Sequence, residues 1–326
     1  MLARTLLGTA VAAATLSTIL ASTAHAGENL WVYAKGTDTR PEGSYEFKLA
    51  DTIRLDKNAG SYTFHDIRPE LEYGITDRLT IAGEALLFQH DYDIGDRDCD
   101  SAPGPVCEGG ENGDGKFDDF QYAGYEISAK YNVLSPYKDV MGLSFVVGYE
   151  KRDKYRLDGA DIDQDSFTFT TLMQKNFMDD TLTTVLNIKT EFERRKSGEK
   201  PENVLEEELA FDISAAVSYR VAPKWFVGLE FRHQSDYLSP EVNGEYDDPN
   251  LSPSQFDLSD WKKGSKHQYG AYLGPSIHYA EQKWWATAGV LWQVAGGGSV
   301  HADVRSDRNW DEHEKMHVGL SFGYEM

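Results

Sequence analysis

Residues 67–88 read IRPELEYGITDRLTIAGEALLF. Ile67, Leu71 and Tyr73 alternate with Arg68, Glu70 and Glu72. The chain then turns through residues 74–78, after which Leu79, Ile81, Gly83, Ala85 and Leu87 alternate with Thr80, Ala82 and Glu84. Period-two alternation on both sides of a tight turn predicts a β-hairpin with one apolar and one charged face. Each arm is long enough to cross a bilayer as a tilted strand, which takes roughly 9–11 residues. The same unit recurs to the C-terminus, and the fold it predicts is all-β: an antiparallel transmembrane β-barrel.

Outward from this hairpin, alternation places strands near 44–57, 62–73, 79–88, 120–131, 140–152, 166–175, 181–195, 207–219, 225–234, 267–279, 284–294 and 316–324, about twelve in all. Asp51 falls on the apolar face of the first strand, which implies either a β-bulge that shifts the phase or partial cover of that strand. Connections alternate between short and long, as between periplasmic turns and outer loops. Tyr73, Tyr131, Phe177, Tyr219, Trp225, Tyr279, Trp284 and Trp285 sit at the short-turn ends, where an inner aromatic girdle is expected. A soluble β-sandwich also uses alternating strands. Ten-residue strands with one apolar face apiece suit a closed sheet facing lipid better, because no edge there can stay unpaired.

Residues 1–26 carry one basic residue, Arg4, then a small and apolar run, then Ala24-His25-Ala26, the layout of a cleaved export signal. Residues 27–43 contain Trp31, Val32, Tyr33 and Pro41 and form either a periplasmic lead-in or a lumen segment; the barrel is expected over 44–326. The chain has 32 basic and 54 acidic residues, a net charge of −22. Loss of Arg4 with the signal takes this to −23, so nucleic acid is not an expected partner. Cys99 and Cys107, the only cysteines, enclose CDSAPGPVC and are expected to form a local disulfide after export.

If apolar faces meet lipid, the lumen receives five bases, Arg68, Lys130, Arg152, Lys189 and Arg232, beside seven acids, Glu70, Glu72, Glu84, Glu126, Glu150, Glu191 and Glu230. They serve either a polar, mildly cation-preferring passage or a ladder of ion pairs that fills the interior. Ala210, Ser214, Ala216, Gly270, Gly274, Ser276, Gly289, Gly319 and Ser321 also point inward. That gap must be taken by water, a solute, an inward-folded loop or the Trp31 segment.

Residues 89–119 hold ten acids and two bases. This invites a loosely bound divalent cation or lipopolysaccharide bridging at the outer loops. EF-hand spacing is not met: the first ligand position of the 110–121 window would be Gly110, and after Asp161, Asp163 and Asp165 the required glycine is Ser166. His313-Glu314-Lys315-Met316-His317 matches the letters of a zinc motif that works on a helix. On a strand, four positions separate the rings by roughly 13 Å, too far for one zinc, so no metal site is expected there.

Several segments resemble known proteins. The C-terminal HVGLSFGYEM resembles the assembly signal of bacterial outer-membrane barrels in His317, Gly319, Phe322 and Tyr324, although the chain ends on Glu325 and Met326 rather than an aromatic residue. Residues 41–88, with EGSYE and PELEYGITDRL, are similar to a family of uncharacterised Gram-negative barrel proteins. His233-Gln234-Ser235 resembles the catalytic pair of outer-membrane phospholipases and lipid A deacylases, with Asp236 where those enzymes have Asn. These resemblances imply a bacterial outer-membrane location, with outer-membrane lipid, lipopolysaccharide and the barrel assembly machinery as partners.

The expected function is a channel or passive transporter for small hydrophilic solutes, with no catalytic residue and no resident cofactor. The alternatives are a lipid-face acyl hydrolase using His233 and Ser235, and a structural or surface-binding barrel with a filled lumen.

Overall fold

A computed structural model describes residues 29–58, 60–93, 116–197, 204–238, 241–242, 245–246, 266–298, 307–310 and 312–326. Twelve strands close into one barrel: β1 (Tyr45–Leu55), β2 (Ser61–Thr76), β3 (Leu79–Asp93), β4 (Lys116–Leu134), β5 (Gly142–Lys154), β6 (Asp161–Phe177), β7 (Leu182–Ser197), β8 (Val204–Ala222), β9 (Trp225–Leu238), β12 (Lys266–Ala280), β13 (Trp284–Gly298) and β14 (Met316–Glu325). Between β9 and β12 lies a two-residue hairpin, β10 (Glu241–Val242) and β11 (Glu245–Tyr246). Every barrel pair is antiparallel, and β1 closes the ring on β14 with Leu49 opposite Phe322. A single closed sheet leaves no second layer, so the sandwich alternative does not apply.

The burial pattern inverts that of a water-soluble domain. Phe47, Leu49, Leu71, Ile127, Val147, Phe169, Leu229 and Leu320 are exposed on the outer wall, while Glu46, Lys48, Asp66, Glu70, Glu150 and Glu230 are buried inside. Alternation produces this directly, because successive side chains on a strand point to opposite faces. Such a surface is stable only where the outside solvent is itself apolar.

Both ends of the barrel and the connections at 77–78, 135–141, 178–181, 223–224 and 281–283 share one rim, called here the near rim. The alternation of short and long connections is not strict: the far-rim connections 56–60 and 155–160 are no longer than 135–141 on the near rim. The strands also continue past their apolar stretches at the far rim. β6 begins at Asp161 and β9 runs to Leu238, where composition placed loops. Beyond the lipid both faces are polar, so alternation vanishes while the backbone ladder continues.

Three local expectations change. Asp51 lies in a strand whose register is unbroken on both sides, so no bulge explains it. Instead its carboxylate meets His65 Nδ1 of β2 at 2.9 Å. Trp285 is not part of the girdle. It points inward, buried, and its Nε1 donates to Glu46 at 3.2 Å, while Trp284 faces outward against Tyr279. Tyr45 takes a girdle place beside Tyr73, with ring centroids 4.5 Å apart. Finally, the register of β3 against β4 shifts between Leu86 and Leu87, opposite Gly124 at φ +136°. This bulge lets both Tyr122 and Tyr125 face outward while Ala123 is buried.

Candidate functional site: a charged chamber inside the barrel

The inner wall is a network of ion pairs within and between strands. Lys48 of β1 meets Glu70 of β2 at 2.5 Å. Arg68 reaches Asp66 at 2.8 Å, Glu84 at 2.6 Å, and Glu126 and Glu150 at 3.4 Å, so one guanidinium spans β2 to β5. Arg152 pairs with Glu150, Lys189 with Glu191 at 2.6 Å, and Arg232 with Asp212 at 2.5 Å. Opposite charges in register satisfy groups that would otherwise be costly to bury; removing one partner strands the other.

Residues 29–41 cross the lumen just inside the near rim, held by the wall's own side chains. Thr287 of β13 donates to Asn29 O, Ser276 of β12 to Leu30 O, and Trp31 Nε1 donates to Val217 O of β8 at 3.1 Å. The carboxylate of Glu230 accepts three consecutive backbone N–H groups, from Val32 and Tyr33 at 2.9 Å and Ala34 at 2.6 Å. Farther along, Asn187 brackets Lys35, Lys130 donates to Gly36 O at 2.9 Å, and Asn132 and Ser144 both donate to Thr37 O. Arg40 ends the crossing by pairing with Glu46 at 2.8 Å, Glu325 at 3.0 Å and Glu72 at 3.4 Å.

The small inward residues make room for this segment. A side chain at Gly289 or Gly319 would collide with Val32, and one at Gly228 would collide with Ser276 and crowd Trp31.

Two far-rim segments fold inward. Tyr62, His90 and Tyr92 line the upper inner wall in a cluster with Phe64, Phe88 and Phe117. They donate to three successive carbonyls of the 155–160 connection: Tyr62 to Leu157 at 2.9 Å, His90 Nε2 to Arg156 at 3.0 Å and Tyr92 to Asp158 at 3.2 Å. Residues 307–310 and 312–315 fold over the opposite side. Tyr272 donates to Glu314 O, Gln293 to Asn309 O, and Gln234 to His313 Nδ1 at 2.8 Å. Burial pushes the His313 imidazole down to about 3. Burial also pushes Glu314 up, but Lys57 at 3.6 Å and a hydrogen bond from His317 more than offset this and hold its carboxyl well below the ordinary value.

His317 joins the two closures. Its Nδ1 accepts from Tyr33 of the crossing segment at 2.7 Å, and its Nε2 donates to Glu314 of the far-rim segment at 3.1 Å.

Between floor and roof lies a chamber of about 400 Å³. Eleven acids and nine bases line it. Of the residues assigned to the lumen by alternation, Arg68, Glu70, Glu84, Glu126, Arg152, Lys189, Glu191 and Arg232 line this chamber. Glu72, Lys130 and Glu230 face inward too but hold the crossing segment, and Glu150 lies behind Arg68 and Arg152. Alternation missed Lys48, Arg54, Asp66, Glu193, Glu208, Asp212 and Asp236, all lining residues. All but Asp236 lie on the inward parity of the predicted strands, and carrying that parity two residues further along β9 adds Asp236. Nothing in the sequence signals Arg156, which arrives on a connection.

His317 and Gly319 point into the lumen, while Phe322 and Tyr324 face outward. Ser235 is 3% exposed and faces Phe211 and Tyr269 in the register; no hydrogen bond joins it to His233 among the described residues. Asp161, Asp163 and Asp165 meet Lys154, Lys151 and Tyr149 across the strand pair. Cys99, Cys107, the export signal and most of the acidic 89–119 stretch lie outside the described residues.

With this geometry in hand, comparison places the architecture. The chain resembles the COG4313 outer membrane channel from Pseudomonas putida F1, with 10% identity over 89% of this chain and 98% of that one and a TM-score of 0.56. It also resembles the β domain of the Bordetella autotransporter BrkA, with 11% identity, 87% and 100% coverage and a TM-score of 0.50. The KdgM porin aligns at 10% identity, 86% and 98% coverage and a TM-score of 0.41. At such identities the likeness is one of fold. No curated protein sequence matches the chain. Residues 23–326 match a family described as a family of unknown function, DUF6662.

Proposed function

The chain belongs to the DUF6662 family of unknown function, and from that premise we propose that it is a bacterial outer-membrane channel or passive transporter for small hydrophilic solutes. The observation that carries this reading is the solvent-sized chamber lined by eleven acids and nine bases inside a wall whose outer face is apolar. A barrel built only to be stable in lipid gains nothing from burying so many charges, since apolar residues of similar volume do as well or better. In this reading the near rim is periplasmic, residues 1–26 direct export, and outer-membrane lipid, lipopolysaccharide and the barrel assembly machinery are the partners. The excess of acids gives a mild preference for cations.

Planar-bilayer recording of the refolded mature protein tests it. Reproducible conductance steps with a reversal potential favouring cations are expected, and Glu84→Gln/Glu126→Gln should shift that potential toward zero. A correctly folded barrel that never conducts would retire the channel. The filled-barrel alternative would then stand, favoured by the crossing of residues 29–41 and the two inward-folded connections.

A further inference from the structure

Most cations lining the chamber are matched. Lys48, Arg68, Arg152, Lys189 and Arg232 each have a carboxylate within 3.4 Å. Arg54 and Arg156 differ: among the described residues no carboxylate forms an ion pair with either, and the Nε of each is buried with no hydrogen-bond partner. Arg54 is only 7% exposed, yet both line the chamber. Their positive charges, with that of Arg152, repel one another and help to push Arg156 down to about 10, after burial itself. A buried guanidinium facing open space presents a planar fork that matches a carboxylate.

The opposite pole is acidic. In the strand register Glu193 of β7 lies beside Glu208 of β8, and Glu191, Ala210 and Asp236 form the next row across β7, β8 and β9. Glu191 has Lys189, but among the described residues no cation pairs with Asp236 or Glu193, and Glu193 accepts a hydrogen bond from the Gln164 amide at 2.7 Å. This patch stands across the ring from β1, which carries Arg54. Arg54, Arg156, Glu193 and Asp236 all line the same chamber of about 400 Å³.

We propose that the chamber is a binding site for a small zwitterion, its carboxylate held by Arg54 and Arg156 and its ammonium by Asp236 and Glu193. The volume of about 400 Å³ falls within the range of small-ligand sites. A simple anion or cation would satisfy one pole and leave the other buried and unmatched, which is how such a site discriminates. The inference rests on the channel reading only in naming what would pass; the site exists whether or not the mouths open.

The test is calorimetric titration of the refolded mature barrel in detergent with 4-aminobutyrate and with its singly charged isosteres, valerate and pentylammonium. Saturable binding of 4-aminobutyrate is expected, with each isostere at least tenfold weaker. Arg54→Gln and, on the opposite wall, Asp236→Asn should each weaken 4-aminobutyrate at least tenfold in protein whose circular dichroism still reports the barrel. Equal binding of all three probes, no binding of 4-aminobutyrate, or full affinity in both folded variants would overturn the proposal. Bilayer conductance of the same preparation separates the two readings: binding without conductance retires the channel alone, and conductance without binding retires the zwitterion site alone.

Discussion

Glu230 shows how much one side chain decides. On sequence it is one more inward acid of a lumen; in the fold it takes three backbone N–H groups of the crossing segment. Removing the acceptor leaves buried donors unpaired at about 1–3 kcal/mol for each that finds no water. Glu230→Ala is therefore expected to expose Lys35 to trypsin in folded protein that is resistant before the change, with cleavage read by mass spectrometry. Unchanged resistance would contradict the role given to Glu230.

His313 makes a pH-dependent prediction. Burial and the neighbouring Lys57 and His317 hold it down to about 3, against the pull of Glu314 and Glu312, while Gln234 donates to its Nδ1. In an opened segment the imidazole titrates near its free value of about 6.5, so the open state binds more protons. The closed state thus loses up to about 1.4 kcal/mol per pH unit as pH falls below about 6.5. Glu314, held low in the closed state, adds to the loss below about 4.5. Open probability should rise between pH 7 and pH 5, and His313→Asn should flatten that rise. An identical acid response in the variant would assign the effect elsewhere.

At the scale of elements, the strands were legible because half of each touches lipid, and lipid enforces alternation. Their far-rim ends were not, since Asp161–Asp165 and Ser235–Leu238 pair through backbone with no apolar face to mark them. The crossing segment was half legible. Inward glycines and alanines on β8 to β14 announced a gap, but only tertiary structure shows that Trp31 and Val32 fill it.

Gly319→Leu should displace the segment without unfolding the strand, because the outer face and the backbone ladder stay intact; an increase in trypsin cleavage at Lys35 with unchanged circular dichroism is expected. The 155–160 connection is latched separately. Tyr62→Phe with Tyr92→Phe removes two of the hydrogen bonds that tie it to the wall, each worth about 1 kcal/mol. More frequent opening transitions in bilayer recordings are the expected readout, and a trace unchanged from the parent would count against a moving roof.

For the whole molecule, the barrel is a charged interior wrapped in an apolar wall, crossed below by its own N-terminal segment and narrowed above by two connections. His317 touches both closures, through Tyr33 and Glu314, so floor and roof share one imidazole. A lumen so crossed and narrowed conducts freely only if these parts move. The most direct measurement compares single-channel conductance of the mature protein with that of a variant lacking residues 29–40, both confirmed as folded barrels. Small, intermittent steps in the parent and larger, persistent steps in the variant are predicted. Silence in both would contradict the account and leave a barrel whose interior is filled for good.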